Sequence, residues 1–72
     1  MPEPLDLRGL KCPLPALMTR RALARTPIGL EIEVTADDPL AAVDIPHMCH
    51  KDGFTVLRTI REGAVTRFVL RR

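Results

Sequence analysis

The stretch Leu5-Asp6-Leu7-Arg8-Gly9-Leu10-Lys11-Cys12-Pro13-Leu14-Pro15-Ala16-Leu17-Met18 decides the fold, because its apolar period changes partway along. Leu5, Leu7 and Leu10 set against Asp6 and Arg8 give near-alternation, the pattern of a short strand with one wet face. Gly9 then permits a turn. From Leu14 the spacing becomes helical, and Leu14, Leu17, Met18 and Leu23 fall near one stripe, with Arg20, Arg21 and Arg25 largely off it. Pro13 and Pro15 are tolerated only at the start of such a helix, where amide donors are not needed. Pro27 and Gly29 end it.

Working outward, Ile28, Leu30, Ile32 and Val34 alternate with Gly29, Glu31, Glu33 and Thr35, which predicts the clearest strand of the chain. Asp38-Pro39 reads as an N-cap followed by proline at the first helical position. Pro46 is expected to interrupt the helix begun there. Asp44 would recap a second helical piece from about Ile45 to Lys51, with Ile45, Met48 and Cys49 inward. Asp52-Gly53 is a stop signal. Phe54 to Arg61 and Ala64 to Arg71 are β-rich and joined at Glu62-Gly63, which predicts a tight hairpin.

The predicted order is βαβαββ in one domain, residues 1–72. Because the strands alternate rather than run continuously apolar, both helices should cover one face of the sheet. Glu31, Glu33, Arg58 and Arg67 are then left on the open face. The expected fold is α+β: a two-layer α/β sandwich with a mixed four-stranded sheet, the first strand pair parallel and the last antiparallel.

Composition narrows the function. Seventy-two residues, 46% hydrophobic and 28% charged, suffice for one small core and not for an ordinary nucleotide-binding domain. No apolar run approaches the roughly 20 residues of a membrane span. Met1-Pro2-Glu3-Pro4 does not read as a secretory signal, so the expectation is a cytoplasmic chain with two reduced thiols. The net charge of +2 is unevenly spread: residues 1–28 carry +3, residues 29–52 carry −5 and residues 53–72 carry +4. Such polarity can orient partners.

The segment with chemistry is Gly9-Leu10-Lys11-Cys12-Pro13-Leu14-Pro15. Cys12 is expected at or beside the helix N-cap. There the helix dipole, the Lys11 cation and the Leu14 amide would all favour a thiolate. Pro13 stiffens the backbone after the thiol, and Pro15 removes one more amide. Pro15 also occupies the place where a thioredoxin-like site keeps its resolving cysteine, so Cys12 has no local disulfide partner. Persulfidation is among the reversible states open to such a thiol.

Cys12-Pro13-Leu14-Pro15 resembles the Cys-Pro-x-Pro signature of the TusA/SirA-like small sulfur-carrier proteins. Leu5-Asp6 and Gly9 before it, Gly29 and its strand, Ala36-Asp37-Asp38-Pro39, and Asp44-Ile45-Pro46 continue the resemblance over nearly the whole chain. The resemblance implies a βαβαββ sandwich in which Cys12 takes sulfane sulfur as a persulfide from a cysteine desulfurase or other persulfide donor. The sulfur then passes to a downstream relay or acceptor protein in tRNA thiolation, molybdenum-cofactor or sulfur-oxidation pathways. Leu14 stands where some relatives have an acidic residue, which leaves the rim here more apolar. On this reading the chain is a sulfurtransferase-like carrier rather than a stand-alone catalyst, with no cofactor and no contact with membrane.

Other residues bear on rival functions. Cys49 reads as a small core hydrophobe, with a Cys12–Cys49 redox pair as the sharper alternative. His47, Cys49 and His50 lack the paired spacing of a structural zinc site, so no metal is expected. Asp37-Asp38 has no partner base, and the absence of serine excludes serine-hydrolase chemistry. Arg20, Arg21 and Arg25 are assigned to partner binding. The alternative is an RNA-binding or regulatory module using the basic surface. The chain has neither Trp nor Tyr for base stacking, so tRNA is expected to be involved only indirectly.

Overall fold

The computed structural model describes residues 3–72. Its elements run β1 (Glu3–Asp6), α1 (Leu14–Ala24), β2 (Glu31–Ala36), α2 (Ala41–Asp52), β3 (Thr55–Glu62) and β4 (Val65–Arg71). The strands form one mixed sheet in the order β1-β2-β4-β3. β1 lies parallel to β2, while β4 is antiparallel to both β2 and β3. The βαβαββ sandwich expected from the sequence is the observed fold.

Alternation explains the layering. Ile32, Val34 and Ala36 of β2 and Thr66, Phe68 and Leu70 of β4 are buried on one side of the sheet. Leu23 of α1 and Ala41, Ile45 and Cys49 of α2 join that same core. The opposite face is polar: Arg67 lies 2.8 Å from Glu62 and 3.6 Å from Glu33. The hairpin closes through Gly63-Ala64, since Glu62 pairs with Val65. Of the two turn residues only Gly63 has a positive φ, 62°, as a type II′ turn requires at its first central position.

Several local expectations need correction. The second strand begins at Glu31, not Ile28. Pro27 and Gly29 make a turn there, closed by Leu30 N–H to the Pro27 carbonyl at 3.1 Å, and Ile28 is 84% exposed. The inner face of α1 is Pro15, Thr19 and Leu23, whereas Leu14, Leu17 and Met18 point outward. Thr19 fits the core because its hydroxyl donates to the Pro15 carbonyl at 2.7 Å, leaving no unpaired polar group.

Pro46 does not divide α2. Its missing N–H removes one rung of the helix ladder, but Ala41, Ile45 and Cys49 straddle it in one buried stripe, and that packing keeps the helix continuous. The start of α2 also differs. Leu40 is the N-cap; Asp38-Pro39 forms the preceding turn, with Ala41 N–H bonded to the Asp38 carbonyl at 2.9 Å. Gly53, at φ 80°, terminates the helix as expected.

Candidate functional site

The segment from Asp6 to Pro13 is built by short-range turns and then held by acidic side chains from another part of the chain. Asp6 accepts the Arg8 N–H at 3.1 Å and the Arg8 guanidinium at 2.8 and 2.9 Å. These hydrogen bonds hold the Asp6 carboxyl down to about 2. Gly9, at φ 87°, reverses the chain. The connection between β2 and α2 then reaches across. Asp37 Oδ1 accepts the Gly9 N–H at 2.9 Å, and Asp38 Oδ2 accepts the Cys12 N–H at 2.6 Å.

Cys12 is exposed, and its thiol donates to Asp44 Oδ2 at 2.9 Å. Asp44 sits in the first turn of α2. This contact reverses the expected electrostatics. The hydrogen bond to Asp44 pushes the Cys12 thiol above its ordinary value, helped by partial desolvation and by the charges of Asp44 and Asp38.

The donors invoked from the sequence are placed otherwise. Pro13 is the N-cap, so Cys12 lies one residue outside the helix. The Leu14 N–H is bonded to the Lys11 carbonyl at 2.8 Å and is not available to the sulfur. Pro15 falls at the second helical position. The Leu14 amide is therefore spent within the loop, and the charged group in contact with the sulfur is the Asp44 carboxylate.

Cys12 and Asp44 open onto a groove of about 690 Å³ between the two helices. Ala16, Met48 and Phe54 supply its half-buried apolar lining. Arg20, His47 and Lys51 supply exposed basic groups, and Arg20 lies 3.6 Å from Asp52 across the groove. Arg21 on α1 and Arg25 at its C-cap are exposed; Arg20 lines the groove, whereas Arg25 borders a second depression at the far end of that helix.

Cys49 is fully buried, and burial, with the charge of Asp52, pushes its thiol up to about 11. Both cysteines are free. Among the described residues no three His, Cys, Asp or Glu side chains are placed to hold a metal. No helix there is long and apolar enough to cross a membrane.

The sulfurtransferase TusA family profile matches residues 3–72. The chain belongs to that family. Membership points to a sulfur-carrier role, served by donor and acceptor partners. The fold is also similar to that of the SirA-like protein from Desulfitobacterium hafniense, known from its crystal structure. The two share 20% identity with a TM-score of 0.80 over 94% of this chain and 93% of that one.

Sequence reasoning alone misses Asp44 as a partner of the thiol. An aspartate before Ile45-Pro46 has an obvious local use as a helix cap. Only the packing of α2 beside the Cys12 loop shows the carboxylate turned to sulfur instead.

Proposed function

We propose that the protein is a cytoplasmic sulfur carrier that accepts sulfane sulfur as a persulfide on Cys12 and passes it to an acceptor protein. The observation that carries this reading is the contrast between the two thiols. Cys12 is exposed at the mouth of a groove in a loop pinned by Asp37, Asp38 and Asp44, whereas Cys49 is sealed in the core.

In the loading step the Cys12 sulfur attacks the terminal sulfur of a donor persulfide such as that of a cysteine desulfurase. A new S–S bond forms at Cys12 and the donor's S–S bond breaks. The donor departs as a thiolate and takes up the proton that Cys12 releases. Cys12 is left as a persulfide, and the sum is a transfer of sulfur needing no outside oxidant or reductant. The acceptor reverses the geometry by attacking the terminal sulfur and freeing the Cys12 thiol. Any tRNA is reached through that acceptor.

Pro13 and Pro15 stiffen the entry to α1 behind the sulfur, limiting the motion lost when a partner docks. Leu17, 47% exposed at the groove, and Leu14, 46% exposed in the first turn of the same helix, give a partner apolar surface to bury.

The test is incubation with a cysteine desulfurase and cysteine, followed by intact-mass analysis. The expected product gains one sulfur atom, removable by a reducing thiol, in the natural protein and in Cys49→Ala, with no gain in Cys12→Ser. A gain that persists in Cys12→Ser moves the sulfur to another residue.

A further inference from the structure

A sulfur nucleophile is ordinarily placed where its anion is favoured, and here the reverse holds. Cys12 Sγ lies 2.9 Å from Asp44 Oδ2, and its amide lies 2.6 Å from Asp38 Oδ2. Neither carboxylate has a cation within 4.0 Å among the described residues, where the ion pairs are Arg8–Asp6, Arg20–Asp52, Arg67–Glu33 and Arg67–Glu62. Asp44 is half-buried, so solvent only partly screens it.

The groups around the sulfur come from both helices and from the segments that precede them. Lys11 precedes it in the loop; Arg20 lines the groove from α1; Asp44, His47, Lys51 and Asp52 line it from α2; Asp38 lies in the turn before α2. The one that touches the sulfur is Asp44.

We propose that Asp44 is a latch on the carrier: by accepting the Sγ–H hydrogen bond it keeps the empty Cys12 a neutral, fixed thiol that stray electrophiles meet in its unreactive form. Asp44 acts through Cys12 and is a positioning residue. This inference rests on the reading of Cys12 as the sulfur-bearing residue. Its consequence is selectivity. An exposed cysteine ionised at neutral pH would be alkylated or oxidised by small molecules, and the Asp44 contact lowers the thiolate fraction that those reactions need. When Cys12 carries sulfur, Sγ has no proton left to donate, the hydrogen bond is lost, and the loaded sulfur is free of the latch.

The experiment is the pH profile of Cys12 alkylation by iodoacetamide, followed by intact mass in a Cys49→Ala background. Asp44→Asn removes the charge at nearly constant shape. The expected result is a profile displaced to lower pH, with faster alkylation at pH 7, because the thiolate is the reacting form. Asp44→Glu should return part of the way. Glu62→Gln, which removes a carboxylate paired with Arg67 on the open face of the sheet, should track the natural profile. An Asp44→Asn profile that overlays the natural one, in a protein of unchanged circular dichroism, overturns the latch.

A second measurement avoids the variant: Cys12 Cβ chemical shift against pH in the natural protein. A midpoint above the free-thiol value of about 8.5 supports the latch, and one at or below it overturns it. Desulfurase loading separates the two readings. Profiles that shift without loading would keep the latch and remove the carrier role; loading without any shift would do the opposite.

Discussion

The amide of Cys12 donates to Asp38 Oδ2 at 2.6 Å across 26 residues of sequence. The same carboxylate accepts the Leu40 N–H at 3.3 Å from its other oxygen, so one side chain ties the reactive loop to the turn that starts α2. Hydrogen bonds to a charged acceptor contribute about 1.5–3 kcal/mol, less when water competes. Asp38→Ala is therefore expected to lower unfolding stability by about 1–2 kcal/mol in urea titration. Sulfur uptake should slow as well, because Cys12 loses its fixed position. Unaltered stability and uptake would show that the bond is incidental.

The connection between β2 and α2 marks the limit of what the sequence disclosed. Alternation in Ile32-Glu33-Val34 and the turn at Gly63 were readable, because strand faces and positive φ follow from local chemistry. The proline motif placed the thiol near a helix start for the same reason. Asp37, Asp38 and Asp44 were not readable as partners of the loop. An aspartate before a helix has a local use as a cap, and only tertiary packing chooses between that use and a bond to a distant amide or thiol. Leu14, Leu17 and Met18 misled similarly. Periodicity counts hydrophobes, and it cannot see that a threonine with a satisfied hydroxyl makes a better core residue at position 19.

Cys49 supplies a pH dependence. Its folded thiol titrates at about 11, while an unfolded thiol titrates near 8.5. Between those values the unfolded chain loses the proton and the folded chain keeps it, so stability falls as pH rises through that window. The loss should be on the order of 3 kcal/mol by pH 11 and should be smaller in Cys49→Ala, read by urea titrations at stepped pH. In native protein near pH 8 a thiol reagent should modify Cys12 alone, with Cys49 reacting only after denaturant is added. Equal reaction of both thiols without denaturant would contradict the buried placement.

Gly53 ends α2 at φ 80°, and beyond its chain neighbours no heavy atom lies within 4 Å of where a Cβ would stand. Gly53→Ala therefore meets no clash, and its cost is conformational alone. About 1 kcal/mol of stability should be lost, since a left-handed backbone disfavours any side chain. Alkylation of Cys12 should be unchanged, because the substitution lies at the opposite end of α2 from Asp44. A loss well beyond that size would point to a packing role that the open space around Gly53 does not provide.

The two faces of α1 give the sharpest contrast. Leu23 is completely buried and Leu17 is 47% exposed on the same helix. Removing a buried leucine side chain costs about 2–5 kcal/mol, through lost transfer energy and the cavity left behind. Leu23→Ala should cost that much in urea titration, lowering the Tm by about 8 °C or more at roughly 4–8 °C per kcal/mol for a domain of this size. Leu17→Ala should remain within about 0.5 kcal/mol of the natural protein, as surface substitutions do. The functional readout should run the other way. Leu17 borders the groove that holds Cys12, so Leu17→Glu should slow loading by a desulfurase while leaving iodoacetamide, which needs no docking surface, equally able to reach the sulfur. If Leu17→Ala proved as destabilising as Leu23→Ala, α1 would have to turn its other side to the sheet, and the apolar margin of the groove would vanish with it.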